Sequence, residues 1–191
     1  MGNIQKSILI LMMILLCGCM TFGKPFKSKN ISLLELGKIK NSEYKTIFGN
    51  PDKLSVEKNI EGNYEKAFYY HGGMTAGFDI LSRMLYLEFK DGILNGYYYI
   101  SEFKNDKSGF NPTNVTNIEI NKSTKSDALK ILGNPTGKAK CPTTLYSSKE
   151  KCEPGDEIWS WGRLENGKHA IFSLTFDNNS TATNIRLVDE Q

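Results

Sequence analysis

The chain is poor in histidine. Only His71 and His169 occur in 191 residues, which leaves little room for a His-rich metal centre or a His-based catalytic set. It also lacks a surplus of charge. Lys and Arg number 24 against 21 Asp and Glu, a formal net charge of +3. The basic residues are not gathered into a dense stripe, so nothing here points to nucleic acid. No apolar run is long enough to cross a bilayer. The unbroken stretch at residues 8–16 has nine residues, against the roughly 20 that a spanning helix needs. With 39% hydrophobic and 24% charged residues, a disordered tail, a collagen-like fibre and a multi-span membrane protein are excluded. The length suits one domain, or two small ones sharing a core.

What is present begins with an address. Lys6 precedes the apolar run, and the pair has the length and flanks of a signal peptide. Leu16, Cys17, Gly18 and Cys19 follow. They resemble the bacterial lipobox, with a small residue before the cysteine that becomes the new N-terminus. Cys19 fits that position and Gly18 the one before it, whereas Cys17 would place bulky Leu16 at the cleavage site. The resemblance implies a signal peptide over residues 1–18 and a Cys19 carrying a diacylglyceryl thioether and an N-acyl chain, such as palmitate. Two or more chains anchor stably where one does not. In enteric lipoproteins of this kind an Asp at the next position favours inner-membrane retention, so the resemblance, with Met20 there, implies the outer membrane. Residues 19–30 hold Gly, Pro, Ser and three lysines and read as a flexible tether.

Removing Cys17 with the signal and Cys19 to lipid leaves Cys141 and Cys152. An even remainder in an exported chain predicts a disulfide. A metal pair is the competing reading, without a CxxC motif or a nearby His to support it.

The remainder is written twice. Phe48, Gly49, Asn50 and Pro51 recur as Leu132, Gly133, Asn134 and Pro135, 84 residues on. Each copy follows a helical pattern. Thr124 with Asp127 resembles a capping box, so the second helix should start near Lys125. Asn41 or Ser42 should cap the first. Glycine then proline stops each helix. Aromatic-rich strand patterns follow at 66–71, 83–90 and 93–100, and at 157–163, 170–177 and 183–188. Asp91 and Gly92 form a strong hairpin signal. Asn178 and Asn179 replace them in the second copy, because Asn tolerates positive φ. The expected fold class is therefore α+β: two tandem repeats of helix plus three-stranded antiparallel meander, helices on one face. The repeats would span residues 31–107 and 108–191.

Thr124, Lys125, Asp127, Leu132, Gly133 and Pro135, with Trp159, Trp161, Phe176 and Asp177, resemble the motif of small outer-membrane lipoproteins called BamE, SmpA or OmlA. The chain departs from it at Lys122, where that family has Gly. A tandem of such units also resembles β-lactamase inhibitor protein, whose two repeats set a concave sheet against an enzyme. The first resemblance implies a lipid-anchored, periplasm-facing scaffold or accessory subunit in envelope and outer-membrane protein assembly, with an envelope protein as partner. The second implies an inhibitor or sequestering module for a periplasmic or extracellular enzyme.

No catalytic constellation is signalled, so no enzymatic activity, cofactor, metal or small-molecule substrate is expected. Gly133 to Lys138 superficially resembles a phosphate loop, but it has the wrong spacing and follows a helix. Strand alternation places Leu85, Leu87 and Phe89 toward the helix and Met84, Tyr86 and Glu88 away from it. Strand 93–100 is aromatic on both sides, and Tyr69 or Tyr70 joins one of them. Tyr69, Tyr86, Tyr97 and Tyr99 form the candidate protein-contact face, tyrosine giving large amphipathic area at low entropic cost. The alternative is that the two repeats bury these tyrosines between them.

Overall fold

A computed structural model describes residues 21–74, 79–146, 152–165 and 168–189. The expected signal peptide and Cys19 lie outside the described residues. The strands, in chain order, are β1 (Thr21–Gly23), β2 (Lys53–Asn59), β3 (Gly62–Met74), β4 (Ile80–Lys90), β5 (Ile93–Ser101), β6 (Gly137–Lys140), β7 (Glu157–Glu165), β8 (Lys168–Phe176) and β9 (Ala182–Asp189). The helices are short: α1 (Tyr44–Phe48), α2 (Lys125–Leu132), and 3-10 helices at Ser28–Leu33 and Pro112–Asn117.

All strands among the described residues join one antiparallel sheet in the order β1-β3-β4-β5-β6-β7-β8-β9, with β2 also on β3. This corrects the expected pair of helix-plus-three-strand units. The architecture is one nine-stranded sheet with few short helices. β6 makes the difference. Its four residues, Gly, Lys, Ala and Lys, carry no strand preference, yet they pair with β5 on one side and β7 on the other. Tertiary pairing overrides local propensity there. β2 is exposed along its whole length, with only Leu54 and Val56 alternating against polar residues.

The tether is also corrected. β1 pairs with β3, Thr21 opposite Gly73. Phe26 is buried, its ring 5.7 Å from that of Tyr69 and 6.3 Å from that of Tyr99. The first core therefore starts before residue 31.

Both halves build their helix side alike. Asn30 Nδ2 donates to the Ile47 carbonyl at 2.8 Å, and Asn114, 84 residues on, donates to Ile131 at 3.0 Å. Each helix ends on a glycine with positive φ, Gly49 at 84° and Gly133 at 77°, a conformation that other residues adopt only with strain. A strand aromatic holds each of those glycine carbonyls: Tyr69 Oη on Gly49 at 2.8 Å, and Trp161 Nε1 on Gly133 at 3.0 Å. α2 starts at Lys125 with a complete Thr124–Asp127 capping box. α1 is capped differently from expectation. Glu43 precedes its first residue and accepts from the Lys40 N–H at 2.8 Å. Burial of Leu85, Leu87 and Phe89 against Tyr44 and Phe48 makes the first core, and that of Trp161, Phe172 and Leu174 against Ala128 and Leu132 the second.

Two register shifts decide what faces the other way. Asp91 and Gly92, both at positive φ, turn β4 into β5, with Lys90 opposite Ile93 and Phe89 opposite Leu94. A regular ladder from that turn would oppose Tyr86 to Tyr97. A bulge between Glu88 and Phe89 instead opposes Glu88 to Gly96, Leu87 to Tyr97 and Tyr86 to Tyr98. One extra residue moves every later side chain to the opposite face. The same shift recurs between Thr175 and Phe176 in β8. There the turn differs from expectation, since Ser180 takes the positive φ. The Asp177 carboxylate accepts from the N–H groups of Asn179 and Thr181.

Candidate functional site

The bulge splits the four candidate tyrosines. Tyr97 pairs with Leu87, Tyr99 with Leu85, and Tyr69 with Leu85 from the other strand. All three therefore point under the helices, where they are buried in the first core. Tyr86 alone of the four is on the open face, 39% exposed. The proposed grouping is corrected accordingly. The residues that stand with Tyr86 are Phe68 and Tyr98, opposite it on either side. The rings of Phe68 and Tyr86 are 4.5 Å apart. Burial thus also differs from the alternative of tyrosines shut between two repeats, because helices cover them.

A second row, Tyr70, Met84 and Ile100, runs beside the first by the same register. Tyr98 and Ile100 form a separate apolar cluster with Leu164, against which Met84, Leu145 and Ile171 pack. This cluster joins β4 and β5 to β7 and β8 across the open face. The Tyr98 ring needs Gly162, where a Cβ would overlap its hydroxyl. A cavity of about 290 Å³ opens here, lined by Met84, Tyr86, Tyr98, Ile100, Leu145, Tyr146, His169 and Ile171. Its walls are mainly apolar, as binding pockets are. The Tyr98 hydroxyl is buried with no partner among the described residues. Burial, with Tyr86 second, pushes its pKa up, so the phenol stays neutral at physiological pH.

One wall of the cavity comes from the loop after β6. Cys141 and Cys152 are bonded, with Cα atoms 5.7 Å apart, and residues 147–151 between them lie outside the described residues. The near end of the loop is held by Glu88, whose side chain is fully buried on the open face. Glu88 Oε1 accepts from Thr143 Oγ1 at 2.6 Å and from Asn95 Nδ2 at 2.9 Å. Oε2 accepts from the Thr144 N–H at 2.8 Å and Thr144 Oγ1 at 2.6 Å. Asn95 is the extra residue of the bulge, and its Nδ2 also reaches the carbonyls of Lys140 and Pro142, at 3.1 Å each. Buried carboxylates require such satisfaction. The Tyr64 hydroxyl donates to the Pro142 carbonyl at 3.5 Å. Burial first, then Glu61 and Glu88, pushes its pKa to about 12.

Sequence reasoning missed Phe68 and Tyr98, and set Glu88 on the open face beside Tyr86 without giving it a role. Tyr98 required the bulge, and Phe68 the β3–β4 register that sets it opposite Tyr86. Glu88 carried a weak signal, as a lone acid within the apolar strand of β4, but Thr143 and Thr144 lie 55 and 56 residues on, and Asn95 reaches it only through the bulge. Among the described residues no cluster of His, Cys, Asp and Glu is suited to a metal ion. His71 lies in β3. It stacks on Phe103, rings 5.6 Å apart.

No protein-family model matches the chain, and no curated protein matches it. Among solved structures, the chain is similar to one described as a putative beta-lactamase inhibitor protein from Streptococcus mutans. The two are 10% identical with a TM-score of 0.47, over 87% of this chain and 100% of that one. No residue role passes between them. The BamE, SmpA and OmlA resemblance has no counterpart in these comparisons.

Proposed function

We propose that this chain is a non-enzymatic protein-binding module of the bacterial envelope, anchored through Cys19, that blocks or sequesters a partner with the open face of its sheet. The row Phe68, Tyr86 and Tyr98, ending in the cavity beside Leu145, carries the reading. Tyrosines and a methionine around a concave apolar pocket make a rigid anchor surface, with contact area gained at little side-chain entropy. The loop held by Glu88 and the disulfide gives that surface a fixed rim, which lowers the ordering cost of association. An inhibitor or sequestering role for a soluble periplasmic or extracellular enzyme uses such a face directly. Nothing in the fold favours the envelope-assembly reading over it.

The test is in-cell photocrosslinking with a benzophenone amino acid at Tyr86, followed by mild-detergent purification and mass spectrometry. The expected product is one adduct with a soluble enzyme, whose activity falls when purified protein is added and recovers with Tyr86→Ala. Capture of outer-membrane assembly components would replace this reading with the scaffold one. A self-crosslink alone would overturn both.

A further inference from the structure

β1 fixes where the chain leaves the folded body. Thr21 is opposite Gly73, and Gly23 is opposite His71. The chain therefore enters at the end of the sheet where Met74 faces Ile80. Cys19 precedes Thr21 by two residues, a span of at most about 7 Å. An acyl chain on Cys19 would hold this end of the sheet against the bilayer, with no slack for it to stand off.

The same end has the surface for that position. Phe22 is 39% exposed and Ile80 56% exposed. Phe22 is opposite Gly72, and Gly72 opposite Ser82, two residues along from Ile80. Strand alternation therefore puts both apolar side chains on one face. Lys24 is exposed beside Phe22. Lys104 and Lys107 are exposed just after Ser101, which is opposite Arg83 at this end. Asp106 pairs with Arg83 Nη1 at 2.9 Å, so those two charges offset each other. Glu102 accepts from the Ser82 N–H at 3.0 Å and keeps its charge. Lys24, Lys104 and Lys107 outnumber Glu102 and Asp79, so the balance at this end is cationic.

We propose that this end of the sheet seats on an anionic bilayer, with Phe22 and Ile80 in the interface and Lys24, Lys104 and Lys107 on the headgroups. The proposal rests on acylation of Cys19 and is independent of the identity of the protein partner. An apolar insertion beside lysines is the usual pairing for interfacial binding. β3 has 13 residues and so runs roughly 40 Å. Its other end, with the fully exposed Ile60 at the β2–β3 turn, is carried away from the membrane. The open face is then presented sideways.

The experiment uses full-length acylated protein reconstituted in vesicles of phosphatidylethanolamine and phosphatidylglycerol with brominated acyl chains. Phe22→Trp, Ile80→Trp and Ile60→Trp are compared with the unsubstituted protein, whose Trp159 and Trp161 are buried. The expected result is added quenching and a blue shift for Phe22→Trp and Ile80→Trp, and none for Ile60→Trp. Quenching at Ile60→Trp overturns the proposal, as does its absence at both other positions in protein that floats with the vesicles. Protein that fails to float has no anchor and overturns it at the premise, while leaving the open-face reading standing.

Discussion

The two halves of the sheet share one side and differ on the other. Beneath the helices, Asn30 and Asn114, Gly49 and Gly133, and Tyr69 and Trp161 perform the same tasks at matching positions. On the open side the match ends. By register, Tyr86 and Glu88 before the first bulge correspond to Ser173 and Thr175 before the second. The first half thus has a large aromatic and a buried acid where the second has small hydroxyls. Two copies of one frame can keep the packing that makes them fold while their outward faces diverge, because strand alternation separates the two sets of side chains. The outward aromatic row and the buried acid are then features of the first half, and the loop from the second half packs against them.

The largest way to break this asymmetry is Glu88→Ala. It leaves the Thr143 hydroxyl and the Thr144 N–H and hydroxyl without their acceptor, while Asn95 keeps the Lys140 and Pro142 carbonyls. Unsatisfied buried groups at this density should cost about 3–4 kcal/mol in urea denaturation. It should also release the loop, read as enhanced proteolysis after Cys141. Cys141→Ser with Cys152→Ser should cost about 2–3 kcal/mol, since a loop of this length constrains the unfolded chain only moderately. Cross-linking at Tyr86 should weaken in both variants, while the helix side stays intact by near-ultraviolet circular dichroism.

The shared side can be sharpened by removing each aromatic hydrogen bond. Trp161→Phe loses a donor and leaves a void under α2, about 2–3 kcal/mol in all. Tyr69→Phe loses only the hydroxyl on Gly49, about 1 kcal/mol. A larger loss for the tyrosine would mean that the halves are not equivalent beneath the helices.

How much of this was legible in the chain follows from where the information resides. The 84-residue repeat, the glycine stops and the capping box of α2 are local patterns, and they survive in the structure. The face assignment of Tyr97 and Tyr99 was not legible. It depends on one extra residue, Asn95, whose place in a bulge is set by what its amide reaches across the sheet. β6 was invisible for a related reason. A strand of Gly, Lys, Ala and Lys is defined by its two neighbours, and that pairing alone fuses the meanders into one sheet. Thr21 to Asn30 reads as linker by composition, yet Phe26 among those residues is a core side chain.

The smallest effect separates the halves by pH. His71 is opposite Arg83, and its Nδ1 is buried without a partner among the described residues. The guanidinium of Arg83 lies over Phe103, 4.3 Å from the ring centre. The corresponding positions in the second half are Arg163 and Ala170, opposite each other in β7 and β8, so that half has no imidazole there. Burial first, then the Arg83 charge, holds the His71 pKa below its ordinary 6.5. The unfolded chain therefore binds the extra proton more readily. The contribution to stability is complete above about pH 6.5 and declines as pH falls from there through the folded value. Asp106 acts lower. Burial raises its pKa, but hydrogen bonds from Ser28 and Ser101 and the Arg83 charge outweigh that and hold it below 3.8. Its contribution persists until pH falls below the ordinary carboxylate value. Amide-exchange protection factors measured between pH 7 and pH 5 should fall more for residues 71–74 and 80–83 than for β7 and β8. His71→Gln should remove that difference, and equal losses in both halves would place the titration elsewhere.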